Sequence, residues 1–183
     1  MMNTFVVYVE NKPGVLTRVA SLFRRRAFNI DSLTVGRTEK PEVSRMTITV
    51  DADRDQARRI EANLYKLVNV LLVENITGQP VISRDLAMIK VSATHGERSH
   101  VLELAEVFRA RVVDVGAESL TIEITGDEDK IDGLLEVLRP YGILEMVRTG
   151  VVAMRRGSRP SSVARAISNL SEAESDSDAQ QSV

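Results

Sequence analysis

The turn Asn11-Lys12-Pro13-Gly14 is the part of the sequence whose residue types and spacing best suit binding chemistry. Pro13 and Gly14 permit a tight turn, and apolar residues at helical spacing begin directly after them. The first backbone N–H groups of a helix have no partner within it and lie at the positive end of the helix dipole. This helix start is therefore chemically suited to a carboxylate.

Two asparagines and three apolar residues extend this possible site. Asn11 lies in the turn and Asn29 directly precedes the second predicted strand; each side-chain amide offers a donor and an acceptor without adding charge. Val15, Leu16 and Ile30 supply apolar surface for a branched side chain. The set fits a small amino acid. Residue types alone, however, favour a plainer interpretation, in which an ordinary turn is followed by a strand-entry asparagine.

The remaining sequence offers little for catalysis or metal binding. Cysteine is absent, and His95 and His100 are too few for a multi-histidine metal site. The acidic run 127–129 suits the positive end of the helix that follows it. Since no nucleophile can be paired with a base, an independent enzyme is the least favoured class, and we predict no catalytic, metal or cofactor site.

The apolar spacing predicts the elements that position these residues. In the first half, strands are expected at 5–9, 30–35, 46–50 and 68–73, with amphipathic helices from residue 15 and over 57–67. In the second half, strands are expected at 86–91, 112–115, 120–124 and 143–152, with helices over 101–108 and 131–138. Each half has the order β-α-β-β-α-β. The predicted fold is α+β, with two tandem ferredoxin-like (βαββαβ) domains at 3–78 and 86–157 and a linker at 79–85.

Residues 158–183 are rich in serine, alanine and charge, with arginines preceding acidic residues. Too few large apolar residues are present to offset the chain entropy, so this tail is predicted to be disordered. The charge separation favours the alternative of a docking tail for a partner.

The composition disfavours two classes of partner, nucleic acids and membranes. A net charge of −2 and an aromatic content of 4% disfavour nucleic-acid binding, because RNA-binding ferredoxin-like domains present aromatic residues on a basic face. No apolar run approaches the ~20 residues that span a bilayer, and no leader pattern opens the sequence. We therefore expect a soluble, cytoplasmic protein that contacts neither nucleic acid nor membrane.

Several segments resemble the regulatory small subunits of acetohydroxyacid (acetolactate) synthase, a family whose N-terminal half is an ACT domain. The resemblance covers about 3–157, and Thr149 stands where the family more often has serine. It rests on Glu10-Asn11-Lys12-Pro13-Gly14-Val15-Leu16, Arg18-Val19, Leu22-Phe23, Phe28-Asn29-Ile30-Asp31-Ser32-Leu33-Thr34-Val35 and Ser44-Arg45-Met46-Thr47-Ile48, with further likeness at 66–68, 106–110 and 148–152.

The resemblance implies a non-catalytic subunit that forms a homodimer, activates a catalytic large subunit and confers feedback inhibition by valine. It implies an effector site between two ACT domains, and it assigns dimerisation and large-subunit contact to the second domain. Thiamine diphosphate, magnesium and FAD are expected only in the large subunit. The expected effector-binding residues are Asn11, Gly14, Val15 and Leu16 of one chain with Asn29 and Ile30 of the other.

One alternative within the ACT class stays open. A stand-alone ACT sensor would bind an amino acid in the same way but regulate a different enzyme. Co-purification with a large thiamine-dependent subunit separates the two functions, and the sequence does not choose between valine, leucine and isoleucine.

Overall fold

The computed structural model describes residues 1–157 together with residues 163, 165, 166 and 168. The chain forms two compact units, one comprising Met1–Ile82 with the described residues from Ala153 onward and the other comprising Ser83–Val152. The four described residues beyond 157 are helical. The predicted disorder of 158–183 otherwise falls outside the described residues.

The first unit has the predicted ferredoxin-like order. Its four-stranded antiparallel sheet has the strand order β2-β3-β1-β4, so β2 and β4 are the edges. The elements are β1 (Met2–Glu10), α1 (Val15–Arg25), β2 (Ile30–Arg37), β3 (Val43–Asp51), α2 (Arg54–Leu64) and β4 (Val70–Asn75).

The core of this unit lies between the sheet and its two helices. Alternation along β1 directs Phe5, Val7 and Val9 towards the helices, where they join a cluster that includes Val19 and Phe23 of α1. These apolar positions in α1 recur at helical spacing, as the sequence predicted. Helix α2 begins with a capping box, in which the Asp53 side chain and Gln56 bond reciprocally.

The opposite face of the first sheet, called here the helix-free face, is also largely buried. Val6 and Thr47 are cross-strand partners on this face, and each is 2% exposed or less. Polar contacts come to it from the chain after residue 152, because Arg45 donates a hydrogen bond to the Ala153 carbonyl and Arg155 pairs with Glu74. Burial of both faces explains why β1 is a continuous apolar run.

The second unit repeats the topology, with the strand order β6-β7-β5-β8 and β9 paired to β5. Its aliphatic core includes Ile89, Ile122 and Leu134. Asp127 caps the last helix by accepting a hydrogen bond from the Lys130 N–H (3.1 Å), as the acidic run predicted. The elements from β5 onward are β5 (Val81–Ser92), α3 (Arg98–Val107), β6 (Arg111–Val115), β7 (Ser119–Gly126), α4 (Glu128–Leu138), a 3₁₀ turn (Arg139–Tyr141), β8 (Ile143–Arg148) and β9 (Val152–Arg155). All of β9 except Val152 belongs to the segment grouped with the first unit.

The second half differs from the sequence prediction at two places. The strand expected over 143–152 is divided into β8 and β9, because Gly150 adopts φ +85° between them and turns the chain. Strand β5 begins at Val81, inside the segment predicted as a linker. The predicted domain limits of 3–78, 79–85 and 86–157 stay predictions.

A buried carboxylate anchors the end of β8. Asp85 is 6% exposed. Its Oδ2 accepts a hydrogen bond from Nε of Arg148 (3.1 Å), and its Oδ1 accepts one from the Thr149 hydroxyl (3.0 Å). Asp132 contacts the same guanidinium from the exposed side at 2.9 Å.

None of the described helices is long and apolar enough to cross a membrane.

On the surface of the second unit, Glu123 accepts a hydrogen bond from Arg111, and this contact, with the attraction of opposite charges, raises the pKa of the guanidinium. Because a raised arginine pKa lies far above neutrality, the Arg111 guanidinium stays protonated at ordinary pH.

Candidate functional site

The β1–α1 turn, residues 11–16, leads directly into α1, at the helix start that the sequence predicted. Gly14 adopts φ +82° and immediately precedes α1. No side chain caps this helix, and its first turn contains no acidic residue. A β-carbon built on Gly14 would meet no atom within 4 Å. The turn therefore presents the positive end of α1 to an unobstructed surface.

Asn11 holds the turn against the loop that precedes β3. Its backbone N–H donates to the Glu42 carbonyl (2.7 Å), and its Nδ2 donates to the Pro41 carbonyl (2.8 Å). Its Oδ1 accepts a hydrogen bond from the Ser44 hydroxyl at 3.1 Å. A carboxamide has a second N–H and a second lone pair, so Asn11 retains capacity to bind a ligand while it positions the turn.

A polar network that sequence reasoning missed supports the other side of the turn. Asn69 accepts a hydrogen bond from Arg18 and donates one to Glu10. Lys12 also contacts the Glu10 carboxylate, at 3.3 Å. Asn69 is 51 residues from Arg18 and 59 from Glu10 in the sequence. No local pattern links residues so far apart, although Glu10 and Arg18 belong to the segments that carry the family resemblance.

The two apolar residues of the turn have different surroundings. The Val15 side chain is 4% exposed and belongs to the core, and the Val15 N–H donates to the Lys12 carbonyl at 3.4 Å, so the side chain of this residue is not accessible to a ligand. Leu16, by contrast, is 45% exposed beside the helix start. Leu16 is therefore the apolar side chain of the turn that is accessible to a ligand.

Asn29 and Ile30 lie at the far end of the sheet from the turn. Ile30 pairs with Val50 at one end of β3, whereas Arg37 pairs with Ser44 near the other end, where β1 leads into the turn. Seven residues of extended strand span roughly 23 Å. Asn29 is exposed and Ile30 is half-buried. A single chain therefore does not bring the six predicted effector-binding residues together.

The described residues contain no group of three or more His, Asp or Glu side chains placed to hold a metal ion. Polar groups near the turn are instead engaged in structural hydrogen bonds. The arrangement presents helix-terminal N–H groups, a carboxamide and an exposed leucine, which are suited to binding a small molecule with a carboxylate.

The fold and the turn define the first half as a ferredoxin-like domain with an uncapped first helix, and comparison with known proteins specifies its family. Residues 5–72 match the family model described as an AHAS small subunit-like ACT domain, and residues 84–157 match that described as the small subunit of acetolactate synthase. The first unit is therefore an ACT domain.

Similar proteins extend this assignment over most of the chain. A probable acetolactate synthase small subunit of Archaeoglobus fulgidus is 50% identical over 159 residues, which cover 87% of this chain and 99% of that protein. The acetolactate synthase small subunit of Mycobacterium leprae is 52% identical over 157 residues, covering 86% of this chain and 93% of that protein.

A solved structure agrees with the sequence comparisons. The crystal structure of the acetolactate synthase small subunit from Thermotoga maritima superposes with a TM-score of 0.80 at 38% identity, covering 87% of this chain and 99% of that one. The chain belongs to the acetolactate synthase small-subunit family.

Proposed function

We propose that this chain is the regulatory subunit of an acetolactate synthase in branched-chain amino acid biosynthesis, and that two copies of its ACT domain bind valine between them. The subunit activates a catalytic large subunit, and bound valine lowers that activity. The proposal rests chiefly on one observation, the uncapped and unobstructed start of α1 at Gly14.

The helix start supplies the recognition chemistry for the amino acid. The α-carboxylate of valine accepts hydrogen bonds from the backbone N–H groups that follow Gly14, at the positive end of the α1 dipole. Asn11 offers its remaining amide donor and acceptor without changing the charge of the site. The exposed Leu16 side chain supplies apolar surface for the branched side chain.

In a twofold dimer, Asn29 of one chain lies close to the turn of the other chain. β2 is an edge of its sheet, and edge strands have backbone groups available for pairing with another chain. A twofold axis perpendicular to the sheet pairs two β2 strands antiparallel. The N-terminal end of one strand then lies beside the C-terminal end of the other, so the partner's Asn29 and the partner's Ile30 approach the end of the sheet that carries Gly14.

Regulation follows from thermodynamic linkage. Valine stabilises one arrangement of the small-subunit dimer, and that arrangement reduces the activity of the attached large subunit. A coupling of this kind is typically worth about 1 to 3 kcal/mol, and it acts equally on both equilibrium affinities. Thiamine diphosphate, magnesium and FAD belong to the large subunit in this proposal, and the second domain contributes to dimerisation and to docking.

The proposal is tested by co-expressing the chain with the acetolactate synthase large subunit of the same organism. We expect the two to co-purify, the activity of the complex to exceed that of the large subunit alone, and valine to lower it towards the uncomplexed level. Failure to co-purify, combined with valine binding by the isolated chain, would instead support a stand-alone ACT sensor.

A further inference from the structure

A second pocket lies on the helix-free face of the first sheet, away from the β1–α1 turn. It has a volume of about 400 Å³, within the range of small-molecule sites. Its walls include the apolar side chains of Val6, Ile76 and Met154. The charged groups lining it are Arg37, Arg45, Arg155, Glu39 and Glu74, so guanidinium groups outnumber carboxylates by one.

Arg45 is a half-buried cation in this pocket. Its guanidinium stacks over Tyr8, with its central carbon 5.7 Å from the ring centroid, and donates hydrogen bonds to the Tyr8 hydroxyl, Thr47 and the Ala153 carbonyl. All three acceptors are uncharged. Within 1–157 and the four described residues beyond, no carboxylate lies within ion-pair distance of Arg45. A cation partly removed from water in this way favours an anionic partner.

Arg155 places a second guanidinium at the same pocket. Its Nη2 lies 3.6 Å from Glu74. Its Nε is buried and has no hydrogen-bond partner among the residues that the structure describes. A buried N–H without a partner is unfavourable, the more so on a charged group, so a shift of the Arg155 side chain that exposes Nε to a ligand oxygen would relieve this cost.

We propose that this pocket is a second ligand site, for a small organic carboxylate with an apolar body. The carboxylate pairs with the guanidinium groups of Arg45 and Arg155, whose planar donors match carboxylate geometry. The apolar body contacts Val6, Ile76 and Met154. The site is separate from the proposed valine site, since it occupies the opposite face of the sheet from the helices.

The full-length chain, labelled with ¹⁵N, tests the proposal by NMR of the arginine Nε–H signals. Phenylacetate and isobutyrate serve as organic probes, and inorganic phosphate serves as an anion without an apolar body. We expect both carboxylates to shift the Arg155 Nε–H signal saturably, and phosphate to bind at least about tenfold more weakly than phenylacetate. Absence of any shift with the carboxylates, or equal binding of phosphate and phenylacetate, would overturn the proposal.

Substitutions identify the groups responsible. Arg45→Met retains an apolar stem and loses the guanidinium, and it should weaken phenylacetate binding by about tenfold or more. Arg24→Met, at the exposed end of α1, is the matched control and should leave binding unchanged. Arg155→Lys is a milder variant, because it keeps the positive charge and removes Nε. Unchanged phenylacetate affinity in both Arg45→Met and Arg155→Lys would contradict the assignment of these two arginines to the carboxylate site.

Two further experiments complete the test. The first distinguishes this pocket from the proposed valine site, and the second distinguishes free carboxylates from acidic residues of the chain itself. Gly14→Asp should abolish valine binding yet leave phenylacetate binding intact, so the two proposals can fail independently. The second arm is a chain with Glu172→Gln, Glu174→Gln, Asp176→Asn and Asp178→Asn. Tighter phenylacetate binding in that chain identifies its own acidic residues as competitors for the same carboxylate site, whereas unchanged binding leaves free ligands as the occupants.

Discussion

The hydroxyl of Ser44 donates a hydrogen bond to Oδ1 of Asn11 at 3.1 Å, and this contact joins the turn before α1 to the beginning of β3. Asn11 lies in the ligand-binding turn proposed here, and Ser44 is 8% exposed. The turn is thus fixed by the same side chain that is proposed to contact valine.

Asn11→Ala should lower both stability and valine affinity. The substitution removes the hydrogen bonds to Pro41 and Ser44, which together contribute about 1 to 2 kcal/mol. Ser44→Ala is the matched control, because it removes one of these bonds and leaves the Asn11 amide in place. Denaturant unfolding and calorimetric titration with valine measure the two effects. Equal valine affinity in the two variants would argue against a direct contact by Asn11.

Gly14→Asp should abolish valine binding and valine inhibition. The new carboxylate would lie against the α-carboxylate of the ligand, and such like-charge contacts cost several kcal/mol, which corresponds to at least about a 100-fold loss of affinity. Gly78→Asp is the control, since Gly78 also has a positive φ, +70°, and open space around it. Both variants carry a similar backbone strain of about 1 to 2 kcal/mol. Retained inhibition in Gly14→Asp would count heavily against this site.

Val35→Lys should weaken the dimer. Val35 lies on the edge strand β2 and is 42% exposed, and an edge lysine disfavours strand pairing with a second chain. Val68→Lys, at a position that is 91% exposed, is the control. Sedimentation equilibrium should show a dimer dissociation constant raised by about tenfold or more for Val35→Lys alone. Identical dimerisation by both variants would place the interface elsewhere.

Asp85→Ala should destabilise the second unit by about 3 kcal/mol, because it leaves the buried side of Arg148 without its counter-charge. Asp132→Ala removes the exposed carboxylate from the same guanidinium and should cost less than about 1 kcal/mol. Urea unfolding of the two variants measures this difference. Similar costs would show that burial does not govern the strength of these two contacts.

The sequence predicted the order of elements well, because the aliphatic residues on each helix and strand recur at regular spacing. The amphipathic helix predicted from residue 15 is α1, for example, and its Val19 and Phe23 pack in the core against the sheet. The division of the last predicted strand was missed. Apolar residues continue on both sides of Gly150, and only its positive φ reveals the turn.

The sequence predicted fewer of the contacts around the β1–α1 turn than of the fold. The open helix start at Gly14 follows from local residue types, whereas the contacts among Glu10, Arg18 and Asn69 join distant parts of the chain. The pocket beside Arg45 was not foreseen. It forms where β1 and β3 contact residues after 152. No periodicity in the sequence indicates a contact between segments so far apart.

A subunit-mixing experiment tests the central claim most directly, because the proposed site combines Gly14 of one chain with Asn29 of its partner. Gly14→Asp and Asn29→Ala should each bind no valine as homodimers. A heterodimer of the two contains one fully intact site, since the unaltered turn of the Asn29→Ala chain meets the unaltered Asn29 of the other.

Calorimetric titration of an equal mixture, after subunit exchange, should therefore recover about a quarter of the wild-type number of valine sites with near-wild-type affinity. If the mixture bound no valine although heterodimers had formed, or if either homodimer bound valine normally, the shared site between two ACT domains would be contradicted.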